Sequence, residues 1–146
     1  MTDEVETADK VAEAQPAGVS RDVILVVDDE DSIRRLLRLS LSRRLSGFEI
    51  VEAVDGLNAL EQLRNGLADK VAVILVDNIM PRMSGMDVIA EIRGEPTRVD
   101  QTLSLIHVDA MKRVPVFFMS GNTAADPNVN IDDLLRRRLI TEFVQK

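Results

Sequence analysis

Val-Ile-Leu-Val-Asp-Asn-Ile-Met-Pro-Arg-Met-Ser-Gly, residues 73–85, joins an apolar run to a loop that contains a proline and a glycine. The run begins at Val71 and is typical of a strand that is buried on both faces of a parallel sheet. Asp77 is the first charged residue after the run, so we expect it at the carboxyl end of this strand. Open α/β sheets bind their ligands at that edge. Asp77 is therefore predicted to belong to a functional site.

A second apolar run also ends in acidic residues. Residues 23–27 are all aliphatic, and residues 28–31 are all acidic. If the two strands are neighbours in one parallel sheet, Asp28, Asp29 and Asp77 converge at its carboxyl edge. Two or three carboxylates, with waters in the remaining positions, suit Mg²⁺. The alternative interpretation is that acids at these positions only cap the next helix.

The composition disfavours several classes of protein. The 146 residues carry a net charge of −7, whereas direct nucleic-acid binding requires a basic surface. The chain has no cysteine, so it can form neither a disulfide nor a thiolate metal site. No apolar run approaches membrane-spanning length, and the N-terminus lacks the apolar core of a signal peptide. We therefore expect a cytoplasmic protein.

The chain divides into a leader and one domain. Residues 1–21 are predicted to be a disordered acidic leader, within which residues 5–15 could form a weak helix. Residues 22–146 alternate between apolar runs and amphipathic stretches, which predicts a parallel sheet with helices on both faces. The predicted strands are 23–28, 48–53, 71–77, 114–119 and 140–144, and the predicted helices are 32–45, 56–65, 86–92 and 130–138.

Two stretches of the domain need separate comment. The first helix, capped by Asp31 or Ser32, is expected to bury one face, formed by Ile33, Leu36, Leu37, Leu41 and Leu45. The segment 94–112 is interrupted by a proline and could hold a second helical piece with Val99, Leu103, Ile106 and Met111 on one face. His107, the only histidine, lies in this segment and is expected to be an ordinary helix residue.

The ends of four predicted strands carry residues suited to phosphoryl chemistry. These residues are Asp28, Asp29, Asp77, Ser120 and Lys146. A carboxylate can act as a nucleophile and form an aspartyl phosphate. A divalent cation, a lysine ammonium and a hydroxyl group can stabilise the oxygens of the transferred group. Asp77 lies apart from the acidic pair, so it suits the nucleophile, and the pair suits the metal.

Four motifs in this order resemble the receiver domain of bacterial two-component response regulators. They are Asp-Asp-Glu at 28–30, Asp-Asn-Ile-Met-Pro-Arg-Met-Ser-Gly at 77–85, Met-Ser-Gly at 119–121 and Phe-Val-Gln-Lys at 143–146. The resemblance runs from Val23 to Lys146. It implies a flavodoxin-like, doubly wound, five-stranded parallel sheet of order 2-1-3-4-5.

The resemblance also implies a site and partners. Asp77 would accept a phosphoryl group from a phosphohistidine on a sensor histidine kinase or phosphotransfer protein. Asp29 would bind Mg²⁺ directly, Asp28 largely through water, and Asp77 and the backbone carbonyl of Ile79 would complete the protein ligands. Lys146 would contact the phosphoryl oxygens.

In the same family, Ser120 would swing toward the phosphate, and Phe143 would follow it inward as the aromatic switch. The added charge would change a surface that a downstream protein or a second copy of the chain reads. Such a protein catalyses at most its own phosphorylation and dephosphorylation. We expect no direct contact with nucleic acid or membrane.

The chain departs from the family pattern in two places. The spacing between Asp77 and strand four is longer than usual, because of the segment 94–112. The chain also stops at Lys146, so the fifth helix of the family is missing, and we expect apolar surface to remain uncovered on strands one and five and on the first helix.

Two other functions remain as alternatives. One is a receiver-fold interaction module that is not phosphorylated. The other is a haloacid-dehalogenase-type phosphatase, in which Asp29 would be the nucleophile and Asp31 the acid. Replacing Asp77 distinguishes the phosphatase, because covalent phosphate would then remain on Asp29.

Overall fold

The computed structural model describes residues 20–94, 108–121 and 129–146, and these form one five-stranded sheet. Neighbouring strands are parallel throughout, in the order β2-β1-β3-β4-β5. The strands are β1 (Val23–Val27), β2 (Glu49–Ala53), β3 (Val71–Asp77), β4 (Val116–Ser120) and β5 (Glu142–Gln145). The predicted fold class and strand order are confirmed. Strand boundaries differ from the prediction by one or two residues at most ends, as is usual for such boundaries.

Helices connect the strands. They are α1 (Asp31–Arg44), α2 (Gly56–Arg64), α3 (Gly85–Arg93) and α4 (Ile131–Arg136). A 3-10 turn (Leu67–Asp69) precedes β3, and a single helical turn (Val108–Met111) precedes β4. Within the described ranges no helix follows β5, and no helix is long and apolar enough to cross a membrane.

Some expectations concern residues outside the described ranges. The disordered leader and the helix at 5–15 fall almost entirely within residues 1–19. His107 and three residues of the second helical piece, Val99, Leu103 and Ile106, fall within residues 95–107. The fourth, Met111, is buried at the end of the short turn before β4.

The two faces of the sheet are covered differently. On one face, β1, β3 and β4 pack against α2, α3 and α4 in the larger apolar core. On the other face, Ile24 and Val26 pack against Leu37 and Leu41 of α1. β1 is therefore buried along its whole length, and the prediction that a missing helix would expose it is wrong. Apolar exposure does occur in α1 and in β5, where Val144 is 39% exposed.

The inward face of α1 differs from the predicted one. Leu36 is 59% exposed, so its predicted burial is wrong, whereas Arg34 is only 6% exposed. Arg34 precedes Leu37 by three positions and Leu41 by seven, which places it on the stripe that faces the sheet. The predicted side-chain cap is also wrong, because the helix begins at Asp31 and its N-cap residue makes no side-chain hydrogen bond.

A single guanidinium joins three segments on the side of the sheet that carries α3. Arg93, the last residue of α3, donates to the carbonyl oxygens of Met111 (2.6 Å), Val114 (2.7 Å), Lys112 (2.9 Å) and Leu139 (3.2 Å). Burial lowers the pKa of Arg93 to about 10, so the group is still charged at neutral pH. This residue therefore holds the approaches to β4 and β5 against α3.

Replacing Arg93 by methionine should destabilise the domain. The change keeps most of the side-chain volume but leaves half-buried carbonyl oxygens without a donor, at an expected cost of about 2 kcal/mol in the free energy of unfolding. Chemical denaturation measures this loss. The control is Arg64→Met at the exposed last position of α2, which should change stability by less than about 0.5 kcal/mol. Equal stability of the two variants would contradict the structural role of Arg93.

Candidate functional site

The site lies at the carboxyl edge of the sheet, where β1 and β3 end side by side. Asp28 directly follows β1 and is fully buried, whereas Asp29 is exposed. The backbone NH of Asp28 donates to Ala53 at the end of β2 (3.2 Å), and its Oδ1 accepts the NH of Glu30 (2.9 Å). The carboxylate of Asp28 is therefore held by the backbone around it.

Asp77 is the last residue of β3 and is 4% exposed. The loop that follows returns to the strand end, where Gly85 donates to the carbonyl of Asn78 (2.8 Å). At Gly85 a Cβ atom would lie 2.2 Å from the backbone oxygen of Asp77, so only glycine fits this close approach. Ser84 and Asp87 form a capping box that starts α3. These contacts fix where the strand ends and the loop begins.

The fold brings the three predicted metal-binding aspartates together. Asp28, Asp29 and Asp77 each offer a carboxylate oxygen, and these oxygens all lie within 4.8 Å of one another. The convergence follows from the parallel pairing of β1 with β3, which places Val27 opposite Val76. Three like charges at this distance repel one another unless a cation offsets them.

Lys146 supplies one such positive charge. Its Nζ atom lies 2.9 Å from Asp28 Oδ2, 3.3 Å from Asp77 Oδ1 and 3.4 Å from Glu30 Oε1. Lys146 directly follows β5, and its backbone NH donates to the carbonyl of Ser120 (3.0 Å). The last residue of the chain is thus anchored at the same edge as the aspartates.

The pKa values of Asp77 and Lys146 reflect both burial and the charges of their neighbours. Burial and the neighbouring charge of Asp28 raise the pKa of Asp77 to about 6, although Lys146 lowers it. Burial lowers the pKa of Lys146, but its hydrogen bonds and charge interactions with Asp28 and Asp77 outweigh this effect and raise the pKa above its usual value. A further cation would therefore be bound favourably here.

The two predicted switch residues lie on neighbouring strands. Ser120 ends β4 and is 1% exposed, and its Oγ atom has no hydrogen-bond partner among the described residues. Phe143 of β5 is half-buried and packs edge-on against Phe118, with 6.4 Å between ring centroids. Phe143 therefore touches the larger core from the edge of the sheet. Their roles as switches stay predictions.

An ion pair ties the loop after Asp77 to α2. Arg82 has a positive φ of 68°, which is uncommon for a residue other than glycine, and its guanidinium pairs with the buried carboxylate of Asp55. The same carboxylate caps α2 by accepting the NH of Asn58 (2.8 Å). The pair thus connects two loops at the carboxyl edge of the sheet.

The site opens into a cavity of about 510 Å³. Its lining comprises Asp29, Glu30, Ile33, Asp77, Ile79, Gly121 and Lys146. Ile79 is 59% exposed at this opening. The three carboxylates are hard oxygen donors, and those of Asp29 and Asp77 line this cavity, so the donor set fits Mg²⁺. The contribution of the Ile79 carbonyl as a ligand stays a prediction.

Mg²⁺ should stabilise the protein against unfolding. A ligand that binds only the folded state adds about 2.7 kcal/mol when its concentration is a hundred times its dissociation constant. Thermal unfolding at constant ionic strength, with and without MgCl₂, measures this effect. The variant Asp29→Asn should lose most of the response, because Asp29 is the exposed member of the three aspartates. Equal responses of wild type and variant would argue against a cation at this site.

Several residues of the site do not follow from the motifs. Arg34 donates to the backbone of Asp28, and Asp55 pairs with Arg82. The spacing of Arg34 from Leu37 and Leu41, the half-buried leucines of α1, is a signal in the sequence that indicates an inward position for Arg34. No pattern in the sequence indicates the Asp55–Arg82 pair, because its partners are 27 positions apart and on different loops.

Comparison with known families and structures agrees with this arrangement. The family model of the response regulator receiver domain matches residues 24–130. The transcriptional regulatory protein SrrA of Staphylococcus aureus is 44% identical over 70 residues, which are 48% of this chain and 27% of that protein. The match therefore spans about a quarter of the length of this relative.

Two solved receiver structures are similar over most of their length. The response regulator TrrA of Thermotoga maritima, in complex with Mg(2+)-BeF, is 27% identical, with a TM-score of 0.60 and coverage of 86% of both chains. The phosphorylated cyanobacterial phytochrome response regulator RcpA is 26% identical, with a TM-score of 0.62 and coverage of 87% of this chain and 81% of that one.

Proposed function

Because this chain belongs to the response regulator receiver family of two-component signalling, we propose that it accepts a phosphoryl group on Asp77. The observation that carries the proposal is the convergence of three aspartates and one lysine at the carboxyl edge of the sheet. Receivers take their phosphoryl group from histidine kinases in general, so the donor class is a phosphohistidine. The aspartate cluster is typical of a receiver Mg²⁺ site.

In the proposed reaction, a carboxylate oxygen of Asp77 attacks the phosphorus of the phosphohistidine. The new oxygen–phosphorus bond forms as the phosphorus–nitrogen bond breaks, and the electron pair of the broken bond stays on the imidazole nitrogen, which takes up a proton. Asp77 is the aspartate best placed for this role, because it both borders the cavity and ends a buried strand. Asp28 is fully buried and held by its hydrogen bond from Glu30.

The surrounding residues would bind the transferred group. Asp28, Asp29 and Asp77 would hold Mg²⁺, which when bound supplies positive charge to the phosphoryl oxygens. The ammonium group of Lys146 contacts the carboxylates of Asp28 and Asp77 and would form an ion pair with a phosphoryl oxygen after transfer. The Ser120 hydroxyl would donate to a phosphoryl oxygen, which would satisfy an otherwise unpartnered buried atom.

The signal would pass from the site through β4 and β5. Movement of Ser120 toward the phosphoryl group would change the packing of Phe143, which now rests against Phe118. A downstream protein or a second copy of the chain would read this change. SrrA is a transcriptional regulatory protein, and this chain matches only about a quarter of its length.

Intact mass spectrometry after incubation with a small acyl phosphate and Mg²⁺ tests this function. We expect one phosphoryl adduct per chain when Mg²⁺ is present. No adduct should form when the incubation contains EDTA in place of Mg²⁺. The relatives solved with Mg(2+)-BeF and in phosphorylated form support this expectation. A folded protein that gains no adduct would favour the alternative of an interaction module that keeps the receiver fold without being phosphorylated.

A further inference from the structure

We propose that Arg34 is a positioning residue for the cation site, because its buried guanidinium fixes the backbone that carries Asp28 and Asp29. The inference rests on the proposed function, since it assigns a role in binding the Mg²⁺ on which phosphorylation depends. Arg34 is 6% exposed and lies on the inward face of α1.

The guanidinium of Arg34 binds three elements at once. Nη1 donates to the backbone carbonyl of Asp28 (2.5 Å), Nε donates to Glu52 Oε1 on β2 (3.2 Å), and Nη2 pairs with Asp31 in the first turn of α1. Arg34 therefore joins the end of β1, the start of α1 and the neighbouring strand. The two carboxylates also neutralise its buried charge.

These contacts determine the direction of the chain at the acidic pair. The backbone NH of Asp28 is held by Ala53, and its carbonyl is held by Arg34, so both peptide groups of this residue are fixed. The arginine takes the carbonyl oxygen and leaves the carboxylate of Asp28 to face Lys146. Arg34 thus orients Asp28 through its backbone and does not itself bind the carboxylate that would contact the metal. Residues that surround the ligands of a metal site usually act in this way.

Only a guanidinium can make this set of contacts. Its donors form a rigid planar fork, which here reaches a carbonyl and two carboxylates in different directions. A lysine at the same position would keep the charge but could not hold all three acceptors in one geometry. Arg34→Lys therefore removes the orientation while keeping the positive charge.

Arg38 offers a matched control on the same helix. It is one turn further along α1 and pairs with the same carboxylate, through Nη2 and Oε2 of Glu52 (2.7 Å). Its side chain is 45% exposed, and it donates to Glu52, whereas Arg34 also donates to the backbone of Asp28. Arg38→Lys thus perturbs the shared carboxylate without touching the acidic loop.

Isothermal titration with MgCl₂ of each variant, made in the whole 146-residue chain, tests the proposal. We expect Arg34→Lys to bind Mg²⁺ about tenfold more weakly than wild type, which is the lower end of the usual effect of losing such a partner. Arg38→Lys should stay within about twofold, because exposed ion pairs contribute little. The acyl-phosphate reaction of Arg34→Lys should need more Mg²⁺ for half-maximal rate but reach a rate close to that of wild type at saturation.

A purely structural role for Arg34 would give a different result. It would lower the melting temperature in Mg²⁺-free buffer but leave the dissociation constant for Mg²⁺ unchanged, and this result would overturn the proposal. If wild type itself binds no Mg²⁺, the proposed cation site is wrong, and this result contradicts both the proposed function and this inference. Tight binding by wild type together with equal binding by Arg34→Lys overturns the inference alone.

A second pair of variants decides the question if Arg34→Lys does not fold. Glu52→Ala removes one acceptor of Arg34 and leaves its bond to Asp28, whereas Arg38→Ala removes only the other partner of Glu52. We expect Glu52→Ala to weaken Mg²⁺ binding by about threefold and Arg38→Ala to leave it unchanged. Equal affinities of these two variants would overturn the proposal.

Discussion

Asp77→Asn is expected to abolish the phosphoryl adduct completely, because the amide has no carboxylate oxygen that could attack phosphorus. Asparagine keeps the size and shape of the side chain at this 4% exposed position. It also removes one of three clustered negative charges, so we expect the variant to be at least as stable as wild type in Mg²⁺-free buffer. Intact mass after incubation with acyl phosphate and Mg²⁺ measures the effect.

Asp87→Asn is the matched control for this prediction. Asp87 lies ten positions further along the chain, in the capping box of α3, and has no contact with the aspartate cluster in the described structure. The control variant should form the adduct to the same extent as wild type. If Asp77→Asn also forms an adduct with Mg²⁺, the phosphoryl group resides on another residue and the assignment of Asp77 is wrong.

Gly85→Ala is expected to have the largest effect on stability. Alanine at the first turn of a helix normally stabilises a protein, because it restricts the unfolded chain. Here the new Cβ atom would lie 2.2 Å from the backbone oxygen of Asp77 and 2.9 Å from Asn78 Cα. Since backbone must move, we expect a loss of about 2–3 kcal/mol in the free energy of unfolding, as in other overpacked sites.

The control for the glycine substitution lies at the same edge of the sheet. Among the residues that the structure describes, the nearest neighbour of a Cβ atom at Gly121 would be Lys146 Cβ, at 4.0 Å. Gly121→Ala should therefore change stability by less than about 0.5 kcal/mol. Chemical denaturation of both variants measures the difference. Similar stabilities would mean that α3 can shift away from β3 without cost.

The sheet and the acidic cluster could be predicted from the sequence because their signals are local. Each buried strand is a continuous apolar run, and the first polar residue after the run marks its carboxyl end. The runs ending at Val27 and Val76 therefore predict that Asp28 and Asp77 lie at the carboxyl edge, where the structure places them. Parallel pairing then brings the two ends together, so the site follows from the fold class.

The contacts made by long polar side chains could not be predicted with the same success. A basic residue on a helix is usually assigned to the solvated face, yet Arg34 is buried and the neighbouring Leu36 is exposed. The reason is energetic, since three acceptors at the edge of the sheet compensate the buried guanidinium. The Asp55–Arg82 pair depends on how two distant loops meet, which no local pattern specifies.

The sequence predicted only in part which apolar surfaces of the sheet and of the first helix are exposed. The expectation that a chain without a fifth helix would expose the first strand overlooked the area that α1 covers. Leu37 and Leu41 of α1 pack against Ile24 and Val26, which leaves β1 fully buried. Apolar exposure on the first helix and on the fifth strand was predicted, and it occurs at outward residues of α1, such as Leu39, and in β5 at the edge of the sheet.

Site-resolved mapping tests most directly whether Asp77 carries the phosphoryl group. Wild-type protein is first phosphorylated with a small acyl-phosphate donor and Mg²⁺. The aspartyl phosphate formed on the protein is then reduced with borohydride, and the reduced residue is located by peptide mass spectrometry. We expect the reduction product at position 77 alone. A product at Asp29 would contradict the account and support the phosphatase alternative, in which the first strand carries the nucleophile.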